Sequence, residues 1–331
     1  MGGLISYFCI SFISTFILIP LIIKIAHLNN LFDRPDSRKK KITQMVRIGG
    51  GAFVISNLFS ILLILINTDL MNKANLNYNL IWIMFSGSLG FYFIGLSDDL
   101  FNISPYKRLV LQLILSFFVW RTGFQILIPN LEYFSFIKSN ILLANCASFI
   151  LTSIWIVGVI NSINWLDGLD GLAVGSAIIF LITFCLIGFH NNDFNIIYLT
   201  VPFIGSLLAF LKYNFFPSEI MMGDGGSYFI GFNMSILSIL VANSSIDDYI
   251  INKLNFSSFF LAIIILAVPL LDMIKVIFTR ILNRKSPFFP DRNHFHHQIL
   301  NLGFNERNSV LIIYCFNVFS SLIAFKLITN S

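Results

Sequence analysis

The sequence predicts an all-α, polytopic membrane protein of about ten transmembrane helices, with both termini outside. Three observations carry this. Of the 331 residues, 56% are hydrophobic and only 11% charged, whereas a soluble protein is about a quarter charged. Mean hydropathy is +0.83. Apolar runs recur at close to the ~20 residues that cross a bilayer. They are continuous, without the alternation of a membrane β-barrel.

Taken in order, ten spans fit: 4–26, 48–67, 80–97, 107–121, 139–160, 172–190, 196–213, 226–243, 256–281 and 308–328. The first lacks a basic leading segment and is longer than a signal-peptide core, so it reads as an uncleaved helix. Between the fourth and fifth, Pro129 and Glu132 mark an outside loop. No repeat or separate soluble segment is visible, so 1–331 reads as one integral domain. Cys9, Cys146, Cys185 and Cys315 sit in or beside apolar runs without metal-ligand spacing, and read as packing residues.

Orientation follows from Lys and Arg. With the first loop inside, sixteen of the 21 fall in inside loops and helix ends, and five outside. Positive charge marks the cytoplasmic side. The net charge of +5 therefore reports topology, and nucleic acid is not expected. Carboxylates do not obey that bias, yet most share the inside face, which points to a site.

Five inside loops carry chemistry. The first, Asp33 to Gly51, is either a basic loop touching anionic lipid or an anion cradle. In the cradle, Arg38 and Lys39 would meet phosphates and Gly49 to Gly51 would admit close approach. The second holds Asp98-Asp99, then Lys107-Arg108. Adjacent helical residues point about 100° apart, so one carboxylate would ligate or accept a proton while the other orients a neighbour. A solvated helix-end pair is the bland alternative.

The third is Asn161-Ser-Ile-Asn164-Trp-Leu-Asp167-Gly-Leu-Asp170-Gly171. Two amides and two carboxylates follow at intervals of three, and residues three apart are helical neighbours. Nine residues pass through two and a half turns, so one straight helix cannot aim all four at one point. Gly168 and Gly171 supply the freedom to end the helix and fold the last carboxylate back. Mere capping of two helices would need no such pair of acids.

The fourth, Met222-Gly-Asp224-Gly-Gly-Ser227, resembles a helix N-terminus, either a simple cap or a phosphate site. The fifth runs from Arg284 to His297 and gathers three of five histidines, His294, His296 and His297, beside Arg292. Zinc lacks a fourth nitrogen or sulfur ligand there, so phosphate binding and proton handling fit better. Carboxylates 98, 99, 167, 170 and 224 together repel one another unless a cation enters. All-oxygen ligands favour Mg²⁺, with Mn²⁺ as a substitute. Mg²⁺ with Lys and Arg equips phosphoryl transfer, and the membrane setting suggests a lipid substrate.

These motifs, in this order, resemble the polyprenyl-phosphate N-acetylhexosamine-1-phosphate transferase family, nearest its WecA/TagO-like branch. The resemblance runs from Asp33 to His297, and Pro269, Asp272 and Arg280 share in it. It implies transfer of an N-acetylhexosamine 1-phosphate, most simply GlcNAc-1-P, from a UDP-sugar to undecaprenyl phosphate at the cytoplasmic face of a bacterial inner membrane. It implies Mg²⁺ on Asn164 and Asp224. Catalytic roles are expected of Asp98, Asp99, Asp167, Asp170 and His296, and substrate contacts of Arg38, Lys39, Lys107, Arg292, His294 and His297. Expected partners are undecaprenyl phosphate, a UDP-N-acetylhexosamine, membrane lipid and, as an assembly to test, a homodimer. An ion-coupled secondary transporter is the rival, and would place its ionisable groups near the midplane.

Overall fold

The computed structural model describes residues 2–29, 31, 45–126, 141–243, 256–289 and 291–329. Arg38, Lys39, Pro129 and Glu132 lie outside these described residues. The elements are helices: α1 (Gly2–Leu28), α2 (Gly51–Ile66), α3 (Thr68–Lys73), α4 (Tyr78–Phe101), α5 (Pro105–Arg121), α6 (Ile141–Leu166), α7 (Leu172–His190), α8 (Phe194–Asn214), α9 (Gly223–Asn243), α10 (Phe256–Ile265), α11 (Ala267–Leu282), α12 (Phe295–Asn301) and α13 (Glu306–Thr329). Among the described residues, sheet-like pairing is limited to one parallel bridge between Val46 and Ile220.

By length and hydropathy, α1, α4, α6, α7, α8 and α13 can cross a membrane, and the bent pair α10–α11 makes a seventh if taken as one span. The expected count of about ten is not reached on these grounds. α2 and α5 have 16 and 17 residues, below the ~20 that span a bilayer. The expected ninth span is broken. Its halves meet at 84°, because Pro269, in the first turn of α11, has no N–H to bond the preceding turn.

The break gives α11 two faces. Asp272, Val276 and Arg280 point inward, while Leu271, Ile274 and Phe278 are exposed. Exposed apolar side chains such as Ile17, Val110, Phe118 and Phe319 likewise face where lipid would be.

α9 is the axis of the bundle. Residues 225–241 are buried without exception, and α2, α4, α6, α7 and α10 all pack on it. A helix enclosed all round must satisfy its polar groups internally. Ser235 and Ser238 donate to carbonyls one turn back, at 2.7 and 3.0 Å. Asn233 donates to Ser88 of α4 and to Phe229 O, both at 2.8 Å. Trp155 of α6 donates its indole N–H to Ser235 O at 3.0 Å.

Glycine sets how closely α4 and α9 approach. A Cβ at Gly95 would overlap the Asp224 carbonyl, and would lie 2.6 Å from Gly225 N. This is one turn before Asp98 and Asp99, so the contact brings the α4 carboxylates to the start of α9. Gly95→Ala is expected to destabilise the protein by about 1–3 kcal/mol through backbone overpacking. Gly90→Ala on the same helix meets only the flexible Leu115 side chain and should cost less. Thermal unfolding of both variants in detergent measures the difference, and equal midpoints would contradict it.

Candidate active site

Asp98 and Asp99 occupy the last turn of α4, and the structure uses their angular divergence. Asp99 turns to α9. Its Oδ1 accepts from the backbone N–H of Asp224 at 3.0 Å, and its Oδ2 from that of Gly225 at 2.9 Å. The first N–H groups of a helix have no partner within it, and a carboxylate suits the positive end of the dipole. The cap of α9 is thus Asp99, from another helix. Arg47 neutralises it, with Nε 2.9 Å from Oδ1.

Asp98 turns the other way. Its Oδ2 lies 2.5 Å from Arg108 Nη1, and the same nitrogen is 3.0 Å from Asp224 Oδ2. The second oxygen of Asp224 accepts from Asn164 Nδ2 at 2.9 Å, and that amide also reaches Ser227 Oγ at 2.9 Å. Asp98, Asn164 and Asp224, which lie far apart in sequence, therefore meet around one guanidinium. The Asp224 side chain keeps 21% exposure, so the pocket is open to a ligand.

α6 extends to Leu166, six residues past the expected span, and both asparagines lie on it. Asn161 does not join the cluster. It donates to Gln112 Oε1 of α5 and to Val157 O, each at 2.8 Å, and fixes the α5–α6 crossing one turn behind the site. Beyond α6 the chain turns through Asp167 to Gly171, whose φ of +78° opens α7. Asp170 accepts from the backbone N–H of Ser218 at 3.0 Å and holds the α8–α9 connection.

A second cluster lies beside the first. Asp272 of α11 is buried; its Oδ2 is 2.8 Å from His294 Nδ1, and its Oδ1 accepts from Phe295 N–H at 2.7 Å. The carboxylate accepts, so the proton of the first bond sits on Nδ1. Arg280 grips Asp291 through two N–H groups at 2.9 and 3.1 Å and also donates to Pro287 O. Burial pushes Asp291 up, but the Arg280 and Asn293 hydrogen bonds outweigh it and hold the carboxyl below its usual range.

Trp165, next to Asn164, carries the Arg280 guanidinium over its face at 4.9 Å and meets the His294 ring edge-on at 5.7 Å. His296 packs against Gly168, where any Cβ would collide with its ring. Burial, then His297 and His294, push His296 down to about 3. Burial and the charges of His294 and Arg292 also lower His297.

A family model described as glycosyl transferase family 4 matches residues 81–242. A probable undecaprenyl-phosphate N-acetylglucosaminyl 1-phosphate transferase of Bacillus subtilis (strain 168) is 33% identical over 322 residues, 97% of this chain and 84% of that protein. The chain belongs to glycosyl transferase family 4. Two further similar members are more divergent or shorter in overlap. A decaprenyl-phosphate N-acetylglucosaminephosphotransferase of Mycobacterium leprae is 33% identical over 186 residues, 53% of this chain and 47% of that protein. A phospho-N-acetylmuramoyl-pentapeptide-transferase of Lactobacillus helveticus is 29% identical over 253 residues, 70% of this chain and 75% of that protein. The transporter reading finds no support among these relatives.

The segment that carries the family match contains Asp98, Asp99, Asn164, Asp167, Asp170 and Asp224. The structure brings Asp98, Asp99, Asn164 and Asp224 together. Asp167 is half-buried on the turn after α6. Lys107 is exposed and points away, lining a cavity of about 820 Å³ with Phe101, Tyr106, Val110 and Leu111. Its neighbour Arg108 takes the place at the carboxylates. Arg292 is exposed on the histidine loop. Gly50 does admit a close approach, but what approaches is the chain itself: its N–H donates to Met222 O at 3.0 Å. Arg47, Arg108 and Trp165 were not singled out as site residues by sequence reasoning, and Asp272 was noted only as sharing in the family resemblance.

His296 has an acid-sensitivity consequence. Its folded value lies below the unfolded one of about 6.5, so the unfolded chain takes up the proton first as pH falls. The stability tied to the neutral ring is complete above about 6.5 and is lost towards the folded value near 3. At pH 5 the loss is about 2 kcal/mol. Wild type should therefore lose more of its melting temperature between pH 7 and pH 5 than His296→Gln. Equal losses would show that the ring is not held neutral.

Proposed function

We propose that this chain transfers N-acetylglucosamine 1-phosphate from UDP-GlcNAc to undecaprenyl phosphate, at the cytoplasmic face of a bacterial inner membrane. The observation that carries this is the meeting of Asp98, Asn164 and Asp224 around Arg108 at the ends of α4, α6 and the start of α9. The names of the relatives support the substrates. The sixteen-to-five bias of Lys and Arg supports the side.

An oxygen of the lipid phosphate attacks the sugar-side phosphorus of the nucleotide. The new P–O bond joins lipid and sugar phosphates. The bond to the bridging oxygen breaks, and UMP leaves with the electron pair. A phosphate monoester is mostly dianionic at neutral pH, so little proton removal is needed. Asp98 stands where it can take a residual proton and steer the lipid phosphate. Asp99 orients, since both its oxygens are committed to the α9 backbone and Arg47.

Asn164 and Asp224 suit a divalent cation. Each carries a side-chain oxygen, the two side chains are in contact through Asn164 Nδ2 and Asp224 Oδ1 at 2.9 Å, and the Asp224 carboxylate is partly open; a turn of the Asn164 amide would offer its Oδ1 to the cation. Among the described residues no three of His, Cys, Asp and Glu are placed to hold a metal ion by themselves. Two protein ligands, with phosphate oxygens and waters completing the set, is the usual arrangement for Mg²⁺. Mg²⁺, or Mn²⁺ in its place, would supply charge neutralisation of the diphosphate and of departing UMP.

Asp167 and Asp170 shape the nucleotide pocket from the turn after α6. His294, with Nδ1 held by Asp272, presents Nε2 to polar groups of the nucleotide sugar. Arg292 and His297 on the same loop, together with Arg38 and Lys39, supply phosphate contacts, and Arg108 replaces Lys107 in that role. His296 supports the turn at Gly168 and stays neutral above about pH 5.

The test is label transfer. Purified protein, undecaprenyl phosphate, Mg²⁺ and tritiated UDP-GlcNAc should yield label in the organic phase and UMP in equal amount. Asp224→Asn should lower kcat/KM by about a hundredfold or more. Asp98→Asn should lower kcat with KM for the nucleotide sugar little changed. Nucleotide hydrolysis without labelled lipid would refute the transfer. A donor panel including UDP-GalNAc identifies the sugar.

A further inference from the structure

Three carboxylates, Asp98, Asp99 and Asp224, crowd the ends of α4 and α9, and two arginines answer them. Asp99 is closed off by two backbone N–H groups and Arg47. Asp98 and Asp224 share the other arginine through a single nitrogen, Arg108 Nη1. Carboxylates this close cannot both stay charged without a cation between them. Arg108 supplies that cation. A divalent ion on Asp224 would compete for the same negative charge.

We infer that Arg108 is a resident counter-ion that changes partners. Without ligands it fills the cation position between Asp98 and Asp224. When the divalent ion and nucleotide diphosphate enter, its guanidinium turns from those carboxylates to the phosphate oxygens. This rests on Asn164 and Asp224 being the cation ligands.

The surroundings single out Arg108 for this role. Its side chain is 24% exposed, so the head group has room to turn. Arg280 is 5% exposed and gripped by Asp291 on two sides. Arg47 pairs with an aspartate already committed to the backbone of α9. The helix under Arg108 is fixed: one turn on, Gln112 accepts from Asn161 at 2.8 Å, so exchange needs only side-chain rotation. Lys107 faces the apolar cavity on the other side. A planar guanidinium can bridge two carboxylates and then fork onto a phosphate; an ammonium does this poorly.

The test reads cation binding directly. Free Mn²⁺ is followed by electron paramagnetic resonance with the full chain in detergent and no substrate, for wild type, Arg108→Gln, Arg108→Lys and Asp224→Asn. Arg108→Gln should bind Mn²⁺ about tenfold more tightly than wild type, within the usual range for coupled sites. Its melting temperature in EDTA should fall and recover with Mn²⁺, and its KM for UDP-GlcNAc should rise about tenfold. If Arg108→Gln does not fold, Arg108→Lys, which keeps the charge but not the bridge, should still bind Mn²⁺ more tightly than wild type. Unchanged or weaker Mn²⁺ binding in both arginine variants, with binding lost in Asp224→Asn, would overturn the exchange and leave the cation ligands standing. Wild-type binding by Asp224→Asn would overturn the ligand assignment, and the exchange with it.

Discussion

The carboxylate of Asp99 on the first two N–H groups of α9 is the contact on which the site depends. A helix that starts inside a membrane protein leaves N–H groups that water cannot reach, and each one unsatisfied costs several kcal/mol. Asp99 meets that need from α4. In doing so it ties the end of one helix to the start of another, and Asp98, one residue earlier, meets Asp224 through Arg108. Arg47 closes the arrangement. The strand-like segment that carries it pairs with the α8–α9 connection, through Met221 N–H to Val46 O at 3.0 Å. One contact thus satisfies the backbone of α9 and joins the end of α4 to its start.

Divergence of adjacent helical residues is used twice. At the end of α4 it separates Asp99, which caps α9, from Asp98, which pairs with Arg108. At the end of α6 it separates Asn164, which faces Asp224, from Trp165, which faces His294 and Arg280. The acidic and histidine clusters are therefore two sides of one helix end, and are held at fixed spacing by it. Trp165 and the Gly168 turn that His296 covers connect the histidine loop to the end of α6 that carries Asn164.

Much of this was legible in the sequence, and the reasons for the misses are physical. The helices were visible because continuous apolar runs have one meaning in a chain this hydrophobic. The acidic motifs were visible because carboxylates at span ends need a reason. Direction was not visible. Lys107 and Arg108 give the same topological signal, and only the phase of α5, set where Ser104 and Pro105 start it, decides which faces the carboxylates. Asn161 and Asn164 look equivalent in the motif, yet Gln112, 49 residues away, claims Asn161. The break at Leu266 could have been suspected from Pro269, but a proline in a membrane helix often only kinks it. Asp272 entered only through the family resemblance, because its partner His294 is 22 residues on.

The position of the site along the helices also separates a transferase from an ion-coupled transporter. A transporter needs its charged groups near the middle of the bilayer, where both sides can reach them in turn. Here Asp98 and Asp99 are on the last turn of α4, Asn164 on the last turn of α6, and Asp224 on the first turn of α9. Beyond these residues α4, α6 and α9 carry no other charged side chain. A nucleotide diphosphate is too polar to enter the hydrocarbon, and a polyprenyl phosphate is too apolar to leave it. The plane where these helices end is the one level at which both phosphates can be held, and the chain has concentrated its carboxylates and paired arginines there.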